Sequence, residues 1–272
     1  MSAVTLGPKG TYSHRAATAI ADGDAIEFRQ SVTSIVDAVA SEDHDRGVIP
    51  IENSIEGSVT ESLDALAGYD VAVVREIVTP IRHALLAQGP KFDTIASHSQ
   101  ALAQCRTYLE REYPNATLEA VASTAQGVEY ARDDPSVAGI GHPANAENGT
   151  TLDVLAEDIQ DQDSNATRFF ALAPAEERSK GGGKTSLVVY PNANYPGLLL
   201  ELLEPFADRD INLTRVESRP SGRRLGDYVF HVDIEAGLYE ARTNEAIADL
   251  EDLAEKGWVR KLGSYDTEHV VE

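Results

Sequence analysis

Pro174-Ala-Glu-Glu-Arg-Ser-Lys-Gly-Gly-Gly-Lys184 divides the chain in two. The stretch is polar, carries three consecutive glycines and lies between apolar segments, the composition of a linker rather than of a helix or strand. Residues 1–178 and 185–272 therefore read as two domains, each expected to hold its own core. On the C-terminal side the pattern gives strands over 185–190, 211–217, 228–234 and 259–265, with helices over 197–208 and 240–255. This βαββαβ order is ferredoxin-like. Pro220-Ser-Gly-Arg-Arg-Leu-Gly226 supplies the turn between the middle strands.

On the N-terminal side, short β-like runs alternate with helical ones. Strands over 4–6, 47–51, 94–97, 118–122 and 137–141 precede helices over 13–21, 58–67, 100–111, 124–132 and 143–147. Such alternation indicates an α/β domain with mainly parallel sheets. Residues 71–87 are apolar, lack a helical period and contain Pro80, so they can carry the chain from one sheet to another. Two lobes are expected, 1–78 with a returning segment at 165–175, and 79–164, with a cleft between them.

Composition narrows the function. No apolar run approaches the length that spans a bilayer. Met1-Ser-Ala-Val-Thr-Leu6 lacks the basic head and apolar stretch of a signal peptide, so a cytoplasmic protein is expected. The single cysteine, Cys105, excludes an internal disulfide framework, and its helical setting suits a buried thiol better than a nucleophile. A net charge of −22 argues against nucleic acid or an anionic membrane as a partner. The acidic residues are scattered and there are only six lysines, a surface expected of a halophilic protein. An ordinary acidic mesophilic enzyme is the alternative.

Several strands of the first domain end in small polar residues just before a helix. They are Gly10-Thr11-Tyr12-Ser13, Glu52-Asn53-Ser54, Ser97-His98-Ser99-Gln100 and Ser123-Thr124. Ligands of open α/β folds sit beyond the carboxyl ends of strands, where free N–H groups and helix dipoles favour an anion. Each junction taken alone is better explained as a helix cap, but four with two or more polar side chains each shift the balance towards an anion-binding cleft. Gly7-Pro-Lys-Gly-Thr-Tyr-Ser13 is neither a P-loop nor a dinucleotide fingerprint. No Gly-x-Ser-x-Gly elbow is present, and the histidines never fall at i,i+4 on a predicted helix, so neither a serine hydrolase nor a metal centre is expected.

Gly7–Ser13, Pro50-Ile-Glu-Asn-Ser54 with Gly57, Ser97-His-Ser-Gln100 with Gln104-Cys105, Asn165-Ala-Thr-Arg-Phe169 and Glu217-Ser-Arg-Pro220 form five blocks in order. Together they resemble the prephenate dehydratases over nearly the whole chain. That resemblance implies a catalytic domain of the periplasmic-binding-protein type II fold followed by an ACT regulatory domain. The chain departs from the family pattern at Ser99, where proline is common, and near Thr150, where an aromatic residue is common.

The reaction implied removes the ring hydroxyl of prephenate and its ring carboxylate as CO₂, leaving phenylpyruvate, without cofactor or metal. Hydroxide leaves poorly and needs a donor. The catalytic set is then Thr167, Arg168, Glu52 and Asn53: Thr167 to hydrogen-bond the departing hydroxyl, Arg168 to grip a carboxylate with two prongs, Glu52 as an alternative acid. For Arg168 a structural ion pair is the competing reading, and for Glu52 a structural carboxylate. Ser54, Ser97 and Gln104 offer neutral donors, with Thr11 and Ser13 on the opposite wall and Phe169 packed beneath the site. By the same resemblance, Gly197, Leu198, Asn212, Leu213, Glu217 and Ser218 form a phenylalanine site between two subunits of a homo-oligomer, a dimer or a dimer of dimers. An arogenate dehydratase, or a non-catalytic amino-acid sensor on the same fold, would share most of these features.

Overall fold

A computed structural model describes the chain except residues 1, 22, 147–150, 180 and 271–272. Thr150, the end of the expected 143–147 helix and Lys180 of the linker thus lie outside the described residues.

The first lobe runs β1 (Ala3–Leu6), α1 (Tyr12–Thr18), β2 (Ile26–Arg29), α2 (Val32–Ala40), β3 (Arg46–Asn53), the short β4 (Gly57–Ser58), α3 (Thr60–Gly68) and β5 (Val71–Pro80). β1 pairs in parallel with β2 and β3. The second lobe holds β6 (Ala84–Ala87), β7 (Thr94–His98), α4 (Ser99–Gln104), α5 (Arg106–Glu112), β8 (Thr117–Val121), α6 (Thr124–Asp133), β9 (Val137–Gly141) and β10 (Asp153–Ala156). Its sheet order is β10-β6-β9-β7-β8. β11 (Ala166–Pro174) then returns to the first sheet and lies antiparallel between β3 and β5. The N-terminal domain is thus a two-lobed α/β domain, one sheet to each lobe.

The third sheet is antiparallel, β13-β14-β12-β15. It is built from β12 (Lys184–Tyr190), α7 (Leu198–Ala207), β13 (Leu213–Pro220), β14 (Tyr228–Ile234), α8 (Ala241–Leu253) and β15 (Trp258–Tyr265). This is the ferredoxin-like arrangement expected of the C-terminal half. No described helix is long and apolar enough to cross a membrane.

Several features depart from the sequence reading. β2 and α2 fill a stretch to which the pattern assigned nothing, although Val32, Ile35, Val36 and Val39 recur at helical spacing and are buried. The single helix expected over 100–111 is two, broken at Cys105, because the Gln104 carbonyl accepts the Asp161 N–H at 2.6 Å.

Each domain holds a core of its own, but the two also share one. One apolar cluster joins Ile35, Ile49, Val71 and Phe170 of the first lobe to Val188, Tyr190, Val229, Leu262 and Tyr265 of the third sheet. That sheet packs α7 and α8 on one face and presents its other face to the first lobe. A last strand, β16 (Thr267–His269), leaves the third sheet and adds in parallel to β5.

Candidate active site

β11 decides which side chains meet in the cleft. Successive strand residues point to opposite faces. Phe169 and Ala171 pack with Ala16 and Ala17 of α1, whereas Phe170 and Leu172 pack in the cluster shared with the third sheet. Thr167 shares the α1 face and Arg168 the other. The tripeptide that looks contiguous in sequence is divided between two environments.

On the α1 face, Thr167 stands opposite Asn53 of β3 in the antiparallel register. Asn53 Oδ1 accepts the backbone N–H groups of Ile55 and Glu56 at 3.0 and 3.1 Å. This local turn fixes the amide, so Asn53 Nδ2 donates to Thr167 Oγ1 at 3.0 Å and to Asn165 Oδ1 at 2.9 Å. Asn165 Nδ2 must then donate to Gln104 Oε1, 3.0 Å away in the second lobe. Gln104 Oε1 lies 2.9 Å from His83 Nε2, which therefore carries a hydrogen. Burial lowers the His83 pKa, opposed by its bond to Gln104, and the imidazole is neutral near pH 7. The network extends to Glu56, whose carboxylate accepts from Gln104 at 3.4 Å and from Gln100, and burial raises its pKa.

The opposite wall is built by α1 and the start of the second lobe. The Tyr12 hydroxyl donates to the Arg82 carbonyl, and its ring meets His83 and His142 edge-on at 6.2 and 5.9 Å. Arg15 Nη1 is 3.1 Å from His142 Nδ1. Burial, with Arg15 nearby, pushes the His142 pKa down to about 4. A cavity of about 1100 Å³ opens between α1 and α6, lined by Lys9, His14, Arg15, Arg132 and Asn145 among others. Its cationic lining contrasts with a chain of net charge −22.

The other expected residues are placed as follows. Arg168 turns away from the cleft: it bonds Glu76 at 3.0 Å and Asp233 of β14 at 2.6 Å. Glu52, one residue before Asn53, lies on the same far side, 3.6 Å from Arg168 Nε. Neither side chain is available as a cleft acid or carboxylate clamp, because each sits one strand position out of phase with the Thr167–Asn53 pair. Ser97 is fully buried and donates to the Ile140 carbonyl at 2.7 Å, so it holds β7 to β9 rather than facing the cleft. Thr11 is the cap of α1, accepting from the His14 N–H at 3.3 Å and donating to the Pro8 carbonyl at 3.0 Å. Ser54 joins β3 to the entry of β11, accepting from the Ala166 N–H at 3.0 Å. Ser13 is half-buried in the first turn of α1. Phe169 is buried beneath Thr167. Cys105 is buried with its thiol pKa pushed up to about 12 by burial, so it is inert as a nucleophile. Among the described residues no three His, Cys, Asp or Glu side chains are grouped to hold a metal ion.

His83, Asn165, Glu56 and Tyr12 were not singled out as site residues from sequence. Asn165 adjoins Thr167 within a motif and was accessible to such a reading. His83 was not, since it lies in the irregular link between β5 and β6.

In the third sheet, Gly197 opens α7 with a φ of +97°, a backbone conformation that favours glycine. The Leu198 side chain is buried in the α7–α8 core, and its N–H bonds the Tyr195 carbonyl at 3.2 Å. Asn212 Nδ2 donates to Glu235 at 2.7 Å. Along β13, Leu213 packs against the helical core, Ser218 is exposed, and Glu217 turns to the first lobe, accepting from Ser58 at 3.1 Å. These residues thus do not share one face.

Two α/β lobes around a polar cleft, with a ferredoxin-like sheet docked on one of them, define a two-domain protein whose C-terminal domain is a small ligand-binding type of module. A family model for prephenate dehydratase matches residues 3–177, and one for the ACT domain matches residues 193–252. A prephenate dehydratase of Methanocaldococcus jannaschii is 36% identical over 268 residues, covering 95% of each chain. The structure of an Arthrobacter aurescens prephenate dehydratase in complex with L-Phe superposes with a TM-score of 0.90 at 35% identity, covering 98% of this chain and 90% of that one. That of the Staphylococcus aureus Mu50 prephenate dehydratase gives 0.84 at 29% identity, covering 97% and 100%. The chain belongs to the prephenate dehydratase family, carbon–oxygen lyases of phenylalanine biosynthesis.

Proposed function

We propose that Thr167 is the hydrogen-bond donor to the departing hydroxyl of prephenate, held in place by Asn53. The observation that carries this is the fixed Asn53 amide: Thr167 Oγ1 accepts from Nδ2 at 3.0 Å, which leaves the threonine hydrogen to be donated into the cleft. As the ring carbon–oxygen bond breaks, the electron pair of the bond to the ring carboxylate moves into the ring, CO₂ is lost, and the hydroxide leaves hydrogen-bonded to Thr167 and takes its proton from solvent water in the cleft. A donor aimed at the oxygen where charge develops acts mainly in the transition state. Threonine is too weak an acid to supply that proton unaided, so its donor strength is set by the Asn53–Asn165–Gln104–His83 network. With Arg168 engaged elsewhere, Arg15 and the neighbouring cationic cavity are the better partners for the substrate's carboxylates.

The ACT domain is proposed to bind phenylalanine near Gly197 and Asn212, as an inhibitor of the cleft. That the Arthrobacter relative forms a complex with L-Phe supports phenylalanine as the ligand. Pairing of two ACT sheets is proposed on the apolar side chains left exposed by α7, β13 and β14: Leu200 is 72% exposed, and Val216 and Tyr228 about two-fifths. Incubating the protein with prephenate and following phenylpyruvate absorbance tests the catalytic reading. Turnover that is unaltered in Thr167→Ala would remove Thr167 from the mechanism. Calorimetry with phenylalanine tests the second reading, which an absence of binding heat overturns.

A further inference from the structure

Asp233 lies outside the cleft, at the seam between the ACT sheet and the first lobe, and is only 2% exposed. Its Oδ2 is 2.6 Å from Arg168 Nη2 and 3.2 Å from Arg215 Nη1, and its Oδ1 accepts from Ser186 at 2.5 Å. One carboxylate oxygen is therefore shared by two guanidinium groups. Arg168 follows Thr167 on β11. Arg215 belongs to β13, the strand that begins directly after Asn212 of the proposed phenylalanine site.

The surroundings make this a stiff connection. Arg168 is anchored at its other end by Glu76, which is buried and also accepts from Lys184 at 2.6 Å and Thr267 at 2.7 Å. Burial alone would raise the Asp233 pKa, but Arg168 and Arg215 hold it below the usual carboxylate range, so the charge persists. Opposite charges at this separation attract strongly where water is excluded, and the attraction varies steeply with distance. A shift of β13 relative to β14 changes the share of Asp233 that Arg215 takes and so the pull on Arg168. β11 is paired on both sides, so Arg168 cannot move without Thr167. A second contact runs in parallel. Glu217 of β13 bonds Ser58, and the β4 strand of Ser58 pairs Gly57 with Asn53.

We infer that Asp233 is a positioning residue for Thr167, and that its shared carboxylate couples the regulatory strand β13 to the catalytic strand β11 within a single chain. The inference rests on the dehydratase and phenylalanine readings above and adds the route between the two sites. β13 would thereby be linked to both members of the Asn53–Thr167 pair from behind the sheet, to Thr167 through Asp233 and Arg168 and to Asn53 through Ser58 and Gly57.

The test compares wild type, Asp233→Asn and Arg215→Met, all full length. It measures prephenate turnover, and phenylalanine affinity by calorimetry with and without a non-reacting prephenate analogue. Asp233→Asn keeps the shape and removes the charge, so kcat is expected to fall by about tenfold or more with KM within about twofold. Arg215→Met is expected to bind phenylalanine within about threefold of wild type, while the effect of the analogue on that affinity drops from several-fold to under about twofold. Arg215→Met that melts cooperatively and keeps the wild-type coupling overturns the route. So does Asp233→Asn that raises KM and spares kcat. Should Asp233→Asn fail to fold, Arg215→Met alone decides. A wild type that makes no phenylpyruvate refutes the dehydratase reading, and the calorimetric comparison still judges the link. Equal phenylalanine affinities with and without analogue in an active wild type overturn the link itself.

Discussion

Asn53 Nδ2 and Thr167 Oγ1 are 3.0 Å apart across two antiparallel strands, and the turn that occupies Asn53 Oδ1 allows donation in one direction only. Thr167→Ala should therefore lower kcat by about 100-fold or more, the equivalent of roughly 3 kcal/mol for one lost transition-state donor, with an unchanged melting temperature. Thr167→Ser should keep most of the activity. Asn53→Asp replaces the donor by an acceptor, turns the threonine hydrogen toward the carboxylate, and should be as damaging as Thr167→Ala. Phenylpyruvate formation under saturating prephenate reads all three. An Asn53→Asp enzyme with wild-type kcat would show that the orientation of Thr167 is irrelevant.

Arg168→Lys separates a substrate clamp from a structural ion pair. Arg168 spans Glu76 and Asp233, and a single ammonium group cannot reach both with equal geometry. Removing one partner of a buried pair costs about 3–5 kcal/mol, and retaining the charge lessens that loss. Denaturant unfolding should show lowered stability, kcat should fall, and KM should stay within about twofold. A large rise in KM at full stability would restore the carboxylate-clamp role.

Ending the chain at Ala175 would strip the third sheet from the first lobe and expose Ile35, Ile49 and Phe170. It would also remove β16 from the edge of β5, leave Glu76 without Lys184 and Thr267, and leave Arg168 without Asp233. The truncated protein is expected to bind a hydrophobic dye and to melt without a cooperative transition. A soluble, cooperatively melting and active fragment would mean that the shared cluster contributes little.

Acid should destabilise the fold through histidines held neutral. Burial, with Arg15 beside one and Arg215 beside the other, pushes His142 and His231 down to about 4. Both folded values lie below the unfolded one of about 6.5, so the unfolded chain takes up protons first. Their contribution is complete above about pH 6.5 and is lost as pH falls toward about 4, by at most roughly 1.4 kcal/mol per pH unit for each histidine. Urea midpoints at about pH 7 and about pH 5 should diverge less for His231→Gln than for wild type. Parallel declines in the two proteins would mean that His231 is not held neutral.

Salt should act in the opposite sense. With a net charge of −22, self-repulsion opposes the compact state and is screened as ions are added. The melting temperature should rise between about 0.1 M and about 1 M potassium chloride. A flat or falling profile would argue that the acidic surface is not adapted to salt.

Much of the architecture was open to the sequence. The glycine-rich linker, the strand–helix alternation before it and the βαββαβ order after it are local patterns, and local periodicity reports which face of each segment is buried. That Thr167, Asn53 and Gln104 come together could be suspected from sequence, because each lies at or beside the end of an element inside a compact motif. The break at Cys105 was not accessible, since it depends on a carbonyl captured by Asp161, far along the chain.

What the sequence by itself determined is the set of elements and the residue types that they bring to a cleft. What only the tertiary structure decided is which faces of those elements look at each other. Thr167 and Arg168 are neighbours in sequence, yet the pleat of β11 sends one to the α1 side and the other to Asp233. Glu52 and Asn53 are divided in the same way. A strand pattern with both faces buried carries no signal for which side faces a cleft, and only the packing of the third sheet on one face and of α1 on the other tells them apart.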